Sequence, residues 1–238
     1  MTDLTPAPVL MADPRVAAIP VTGSDEPLVD LRTRSHLRVD TRKADPAGHY
    51  AHVRQGVADR LARAAGLLPA GITFLFVEGY RPPDLQRHYF TAYRERLRDL
   101  RPDLDEAGRH LAASRYVSPP EIAPHSAGSA IDLTLCTEDG RELPMGTSVN
   151  ASPEDSALRC YTAAPDIDPE SRANRDLLGS VLTAAGFVNY PTEWWHWSYG
   201  DRYWALGTGR AAALYGPVHR TVDPPVPGGA GAADGTAR

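Results

Sequence analysis

Two side chains that can bind a metal ion lie close together in the run PHSAGSAID, which begins at Pro124. The imidazole of His125 and the carboxylate of Asp132 are both suitable zinc ligands, and the small residues between them can form a turn that brings the two together. On its own this spacing is a weak signal, because a histidine beside a turn also serves as a hydrogen-bond partner for a carbonyl.

A second segment, EWWHW, begins at Glu193 and supplies a third possible ligand and a possible base. A catalytic zinc site usually keeps three protein ligands and a water molecule, and it needs a carboxylate to take the proton of that water. We expect His196 to be the third ligand and Glu193 the base. These two residues would lie on opposite faces of a regular strand, so a strand here must bulge, twist or end. The alternative is a core of aromatic residues with a surface acid.

Arg81 is the third candidate, at the end of an apolar run and between Tyr80 and two prolines. A guanidinium keeps its charge at any working pH, which suits it to a developing oxyanion or to a substrate carboxylate. The alternative interpretation is an ordinary surface arginine at a turn.

The elements that must position these residues can be predicted from their periodicity. Residues 51–65, 83–100 and 105–113 have helical patterns, and the inward positions of the second helix are Leu85, Tyr89, Ala92 and Leu100. Residues 72–77 form an apolar run typical of a buried strand, which ends just before Arg81.

A second predicted strand contains Asp132. Apolar residues alternate with other residues in SAIDLTLC, so Asp132 should lie on the face opposite the apolar residues. The dipeptide Asp139-Gly140 then predicts a hairpin, with residues 142–145 as the returning strand. Asp168 and Pro169 predict the start of a helix that ends before Gly186. The aromatic-rich residues 187–206 favour further strand.

Strands and helices that alternate without a regular β-α-β rhythm predict an α+β domain with a central antiparallel sheet flanked by helices. We expect this domain to span residues 25–217. The proline-rich residues 1–24 and the Pro/Gly/Ala-rich residues 218–238 have little to bury and are predicted as tails.

Composition excludes several classes of partner. The net charge is −5 and basic residues are scattered among acids, so no broad surface for nucleic acid is expected. No apolar stretch is long enough to span a bilayer, and prolines interrupt the N-terminal apolar residues, so we expect a cytoplasmic protein without a membrane partner. In that compartment Cys136 and Cys160 should stay reduced. The sequence does not predict an oligomeric state.

Several motifs together resemble a known family. They are EGYRP around Arg81, HSAGSAIDLTL from His125, a DG hairpin followed by PMG, AGF from Ala185, and TEWWHW from Thr192. In this order they resemble the D-alanyl-D-alanine dipeptidases of the vancomycin-resistance (VanX) type. That family shares a fold with zinc DD-carboxypeptidases and the Hedgehog signalling domain, and the resemblance covers about residues 29–199.

The resemblance implies roles for individual residues. One Zn²⁺ per chain would be bound by His125, Asp132 and His196, with Glu193 as the general base and Arg81 stabilising the tetrahedral intermediate. The expected reaction is hydrolysis of a small peptide, D-Ala-D-Ala or a related dipeptide. We expect the substrate to contact residues in or near the motifs: Tyr80, Ser126, Asn150 and Trp195.

Two departures from the family's pattern concern the substrate. Ala123 and Pro124 stand where the family carries a serine or similar polar residue ahead of the metal-binding histidine. Asn150 stands where the family carries an aspartate that would pair with the ammonium group of a dipeptide. Asparagine has no net charge, so that pairing would be weaker. Glu154 or Asp155 is a possible replacement.

Two alternative functions remain open at this stage. One is a peptidoglycan carboxypeptidase or endopeptidase on the same scaffold, which the absence of a recognisable export signal argues against. The other is a non-catalytic binding protein that contains zinc. Glu193 argues against that alternative, because a structural zinc site is normally closed by a fourth side chain.

Overall fold

A five-stranded sheet forms the centre of the protein. The computed structural model describes residues 8–218. The strands follow the spatial order β2-β4-β5-β7-β6, and a separate two-stranded antiparallel sheet pairs β1 with β3. The strand bounds are Leu28–Asp30 (β1), Leu37–Val39 (β2), His52–Arg54 (β3), Ile72–Glu78 (β4), Ala130–Thr137 (β5), Val188–Asn189 (β6) and His196–Ser198 (β7).

Six helices lie between and beside these strands in residues 8–218. Their bounds are Pro14–Ala18 (α1), Gln55–Ala65 (α2), Pro83–Leu100 (α3), Glu106–Ala113 (α4), Pro169–Ala184 (α5) and Arg202–Gly207 (α6). The start of α5 agrees with the prediction, because Asp168 accepts a hydrogen bond from the backbone N–H of Ser171 and Pro169 occupies the first helical position. The predicted α+β architecture, a sheet flanked by helices, is confirmed.

The main core lies on one face of β5. Ile131, Leu133 and Leu135 are fully buried in it together with apolar residues of α2 and α5. Asp132 alternates with them along the strand and therefore lies on the opposite face, as the sequence predicts. A second cluster joins α3 to α4 through Phe90, Tyr93, Leu97, Ala112, Ala113 and Val117.

Tertiary contacts change four details of the predicted elements. The helix predicted from residue 51 begins at Gln55, because residues 52–54 pair with β1 instead. The predicted return strand, residues 142–145, makes a single bridge between Cys136 and Glu142, and Pro144 has no N–H with which to continue the ladder. The aromatic run contains helix α6, which Asp201 caps. The sheet is also mixed, since β2 and β4 are parallel.

The predicted inward face of α3 is wrong. The buried residues of this helix are Gln86, Phe90, Tyr93 and Leu97, whereas Leu100 is 47% exposed. The helix is turned by its contact with α4 and by a hydrogen bond from Arg81 to the buried Gln86 side chain. Tyr89 and Ala92, predicted as core, line a cavity instead.

The described part of the predicted N-terminal tail packs on the domain. Met11 and Val16 are fully buried in a cluster with Tyr190 and Tyr203. The backbone of Val21 also forms a parallel bridge with Ala213. Residues 1–7 and 219–238 lie outside the described residues, as does nearly all of the predicted C-terminal tail.

Two expectations from the sequence concern membrane-spanning segments and the state of the cysteines, and both can be compared with the structure. Among residues 8–218, no helix has both the length and the apolar character needed to cross a bilayer. Cys136 and Cys160 are buried free thiols.

Candidate metal centre and active site

Three side chains that can bind a metal converge at one edge of the sheet. The Nε2 atom of His125 lies 3.4 Å from Oδ1 of Asp132, and the Nδ1 atom of His196 lies 2.9 Å from the same oxygen. A ligand atom from each of the three residues lies within 4.8 Å of the other two. All three residues are buried, and all three line the cavity described below.

Local backbone structure explains how distant residues meet here. Register on β5 and β7 places Asp132 directly opposite His196. On the other side, β4 bulges between Phe76 and Glu78, which brings Glu78 opposite Asp132. The turn that contains His125 ends at Gly128 and leads directly into β5.

The orientation of His125 favours metal binding. Its Nδ1 atom lies 2.7 Å from the carbonyl oxygen of Gly79, which can only accept a hydrogen bond. Nδ1 therefore carries the proton, and the lone pair of Nε2 is directed toward Asp132. A hydrogen bond from the second ring nitrogen to a carbonyl is the usual way in which proteins fix a metal-binding histidine.

The pKa shifts of the other two candidate ligands favour the forms that bind a metal. Burial lowers the pKa of His196 and so favours the neutral ring, although Asp132 opposes this shift. Burial alone would raise the pKa of Asp132, but His125 and His196 outweigh it and hold that pKa below its usual range. A neutral imidazole and an ionised carboxylate are the forms that coordinate cations.

Glu193 lies beside the three ligands but outside their cluster. Its Oε2 atom is 3.9 Å from Nδ1 of His196. The two residues are brought to the same side by a turn, in which the Glu193 N–H donates to Tyr190 and the His196 N–H donates to Glu193. Strand β7 begins only at His196, so the conflict expected of a regular strand does not arise. Burial and the charge of Asp132 raise the pKa of Glu193 well above its ordinary value.

Arg81 is buried and held rigidly. Its Nε and Nη2 atoms donate to the two carboxylate oxygens of Glu78, each at 2.7 Å, and its Nη1 atom donates to Gln86 at 2.8 Å. Burial would lower the pKa of Arg81, but Glu78 raises it above its normal value. A bidentate pair of this kind fixes both the position and the charge of the guanidinium.

A cavity of about 350 Å³ opens onto this cluster. Its volume is within the range of small-molecule sites. It is lined by the three ligands and by Lys43, Arg81, Tyr89, Ala92, Tyr93, Arg96, Tyr116, Val117, Ser118, Asn150 and Glu193. A ligand in it would lie between the edge of the sheet and helix α3.

Of the four expected substrate contacts, only Asn150 lines this cavity. It has a positive φ of 64°, and its backbone carbonyl accepts a hydrogen bond from the Tyr116 hydroxyl. The two acids considered as replacements for a family aspartate are both engaged elsewhere. Glu154 accepts a hydrogen bond from the Tyr93 hydroxyl, and Asp155 pairs with Arg96.

The structure does not bring the other three expected contacts into the cavity. The hydroxyl of Tyr80 donates to the carbonyl of Val218, and that of Ser126 donates to the carbonyl of Arg81. Trp195 is fully buried in the main core. These residues support the backbone around the site, because adjacent residues in a chain need not face the same side.

The sequence analysis missed Glu78 and Lys43. Glu78 is a buried acid at the end of an apolar strand, and that unusual position was a detectable signal. Lys43 lies 3.9 Å from Oε2 of Glu78 and lines the cavity. No pattern in the sequence marks it, because it lies in a loop far from the motifs.

Comparison with known proteins gives a consistent result. The family model described as D-ala-D-ala dipeptidase, Peptidase_M15, matches residues 41–208. A protein of Synechocystis sp. named D-alanyl-D-alanine dipeptidase is 30% identical over 220 residues, which cover 79% of this chain and 87% of that protein. A protein of Enterococcus faecium with the same name is 32% identical over 152 residues, which cover 61% of this chain and 71% of its own length.

Proposed function

Because this chain belongs to the Peptidase_M15 family of D-ala-D-ala dipeptidases, we propose that it is a zinc metallopeptidase that hydrolyses D-Ala-D-Ala or a closely related small peptide. The observation that carries the proposal is the convergence of His125, Asp132 and His196 on one point, with Glu193 beside them. Three ligands and an adjacent carboxylate form the usual arrangement of a catalytic zinc site.

The donor set fits zinc. Two imidazole nitrogens and one carboxylate oxygen are typical zinc ligands, and they leave a fourth position for water or substrate. A zinc ion bound there would polarise the scissile carbonyl and increase the acidity of a water molecule. Its positive charge would also favour the ionised form of Glu193, which the metal-free protein disfavours.

Side chains of this chain would then transfer the protons and stabilise the developing negative charge. The Glu193 carboxylate would accept the proton of the attacking water and return it to the nitrogen of the leaving amine. Arg81 lines the same cavity and keeps its positive charge, so its free N–H groups would stabilise the oxygen that becomes negative. Glu78 and Gln86 would hold the guanidinium in place for this role.

The cavity offers N–H donors suited to a substrate carboxylate. Among its described lining residues, Lys43, Arg81 and Arg96 are cationic, although Glu78 pairs with Arg81 and lies 3.9 Å from Lys43, and Asp155 pairs with Arg96. The acids of the lining are Asp132 and Glu193, both assigned to the reaction. The free carboxylate of a small peptide could accept hydrogen bonds from the N–H groups of these cations that their acidic partners leave free. An ammonium group would find the neutral Asn150. A peptide with a blocked or extended amino end, as cut by a carboxypeptidase, is therefore a second candidate substrate.

The proposal can be tested with the zinc-loaded protein and a panel of peptides. The panel contains D,D-, L,D- and L,L-dipeptides, their N-acetylated forms and a pentapeptide that ends in D-Ala-D-Ala, with free amino acids measured by mass spectrometry. Release from free D,D-dipeptides supports the dipeptidase. Cleavage only of the acetylated or longer peptides would identify the second candidate, and no turnover with zinc bound would identify a binding protein.

Substitution of the base separates catalysis from metal binding. Glu193→Gln should lower the rate by about 10²–10⁴-fold, because general acid–base catalysis typically contributes that much. Its zinc content should remain that of the unsubstituted protein, since Glu193 lies outside the ligand cluster. As the matched comparison, His125→Ala should lose both zinc and activity. Unchanged turnover in Glu193→Gln would contradict the assignment of the base.

A further inference from the structure

The only lysine of the chain lines the cavity beside the metal cluster. Lys43 is one lysine among 238 residues that include 24 arginines. An ammonium group is a compact point charge with three donors, whereas a guanidinium is a planar fork. The chain therefore places its single lysine side chain where a substrate would bind.

The backbone of β2 explains this position. Strands β2 and β4 are parallel, so both end at the same edge of the sheet. Their ladder continues to residue 40 and is followed by a turn over residues 41–44. This turn places Nζ of Lys43 at 3.9 Å from Oε2 of Glu78, the residue that lies opposite Asp132 on β5.

The charges around Glu78 are not balanced. Both of its carboxylate oxygens accept hydrogen bonds from Arg81, each at 2.7 Å. The distance of 3.9 Å to Lys43 is longer than a hydrogen bond, so this contact does not occupy the N–H donors of the ammonium group. Among residues 8–218, Glu78 is the only acid within 4.0 Å of Nζ. One acid thus faces two cations, and an anionic group of a substrate would balance the second.

The ring of Tyr89 holds the two cations in the same part of the cavity. The ring centroid lies 5.0 Å from Cζ of Arg81 and 5.4 Å from Nζ of Lys43, both within the range of cation–π contacts. Arg96, the third cation of the cavity lining, follows Tyr89 by seven residues on α3, which is about 10 Å along a helix. It pairs there with Asp155. Lys43 and Arg81 therefore share one end of the cavity, and Arg96 lies toward the other.

The dimensions of a dipeptide select between these cations. The free carboxylate of a dipeptide lies one residue, about 3.5 Å, beyond the scissile carbonyl. If Arg81 stabilises the oxygen of that carbonyl, the group that binds the carboxylate must lie next to Arg81. Lys43 meets this condition, because it contacts the same acid and the same aromatic ring. Arg96 does not.

We propose that Lys43 binds the free carboxylate of the substrate and so directs hydrolysis to the last peptide bond of a peptide. The ammonium group would form a charge-assisted hydrogen bond with the carboxylate. A peptide that ends in an amide, or that continues beyond this residue, would offer no charge at this point. The inference deepens the proposed function and rests on it. It applies to free and to N-blocked dipeptides, since both end in a carboxylate.

Lys43→Met tests the proposal with two peptides, D-Ala-D-Ala and its carboxyl-terminal amide. Methionine has a similar length and no charge, and Glu78 keeps its bidentate partner Arg81, so the variant should fold. The unsubstituted zinc-loaded protein should cleave the acid with a kcat/KM about 10–100-fold above that of the amide, as expected for one hydrogen-bonded charge pair. Lys43→Met should lose this preference through a higher KM, because the carboxylate takes no part in the reaction. Its kcat/KM for the amide should not change.

Two further variants serve as controls. Lys43→Arg keeps the charge and should keep a preference for the acid. Arg87→Met removes an exposed cation of α3 that does not line the cavity, and its kinetic constants should match those of the unsubstituted protein. An equal loss for acid and amide in Lys43→Met would show a structural role and overturn the proposal. It would also be overturned if Lys43→Met kept the preference, or if Arg96→Met lost it instead.

A binding measurement does not depend on turnover. Zinc-loaded Glu193→Gln can be titrated with both peptides by calorimetry, and it should bind the acid about 10–100-fold more tightly than the amide. Addition of Lys43→Met to this variant should make the two affinities equal. Equal affinities with Lys43 present would overturn the proposal. Failure of the unsubstituted protein to hydrolyse either peptide would instead contradict the proposed function, so the two failures can be distinguished.

Discussion

Glu193 is an ionisable group placed where its charged form is costly without a metal. Burial and the charge of Asp132 raise its pKa, so the folded metal-free protein holds this proton at pH values where the unfolded chain has lost it. Below about pH 4.3, the ordinary pKa of glutamic acid, Glu193 is protonated in both the folded and the unfolded protein, so it does not lower the stability of the folded state. Above it, the stability of the folded state falls as pH rises toward the raised pKa.

Glu193→Gln removes the carboxyl group and with it this loss of stability at higher pH. In metal-free protein, the variant should melt at a higher temperature than the unsubstituted protein near pH 7, and the difference should vanish at about pH 4. Calorimetry across this pH range measures it. A melting difference that stays constant with pH would show that the group does not titrate as described.

Glu78 is a second buried acid, and its negative charge neutralises that of Arg81. Glu78→Gln would leave a buried guanidinium without its partner and should lower the free energy of unfolding by about 3–5 kcal/mol. Asp84→Asn is the control. Asp84 and Arg87 are also three residues apart at 2.7 Å, but Asp84 is 94% exposed, and such surface pairs contribute about 1 kcal/mol at most. Similar losses of stability in urea titrations of both variants would contradict this account.

The segment after β4 positions two parts of the site through its backbone. A Cβ atom on Gly79 would lie 2.4 Å from the carbonyl oxygen of His52, and a backbone atom cannot easily move away. Gly79 also provides the carbonyl that fixes His125. Only glycine therefore allows the close approach on which that histidine depends.

Gly79→Ala should destabilise the protein by about 1–3 kcal/mol through overpacking, and it should also weaken zinc binding. The comparison is Gly179→Ala in α5, where the new Cβ meets only Trp197 at 3.6 Å. That change should be neutral or stabilising, because alanine favours a helix. If Gly79→Ala binds zinc as tightly as Gly179→Ala, the carbonyl of Gly79 does not orient His125.

Elements whose signal is local could be predicted from sequence, and those set by tertiary contacts could not. Helix α5 has its cap and proline, and β5 has its alternation, so both lie where expected. The prediction of the inward face of α3 was wrong because contact with α4 and the Arg81–Gln86 hydrogen bond turn the helix. The same reasoning applies to the site. The candidate metal ligands and the candidate base lie in motifs and were identified, whereas Lys43 lies in a loop outside them. Glu78 belongs to the EGYRP motif, but its role depends on its pairing with Arg81, which only the folded structure shows.

At the scale of the whole molecule, the described N-terminal segment belongs to the folded domain. Its proline content suggested a tail, but Met11 and Val16 bury fully against Tyr190 and Tyr203. Tyr190 in turn lies edge-on to His196. A segment far from the motifs in sequence thus packs on a residue next to one of the proposed metal ligands, a relationship that composition cannot reveal.

The central claim is that one zinc ion is held by three named atoms. Anomalous diffraction at the zinc edge, from crystals grown with zinc, tests it most directly. We predict one strong peak bonded to Nε2 of His125, to an oxygen of Asp132 and to Nδ1 of His196, at about 2.0–2.2 Å. The absence of a peak at this cluster, or a peak bonded to other side chains, would contradict the account.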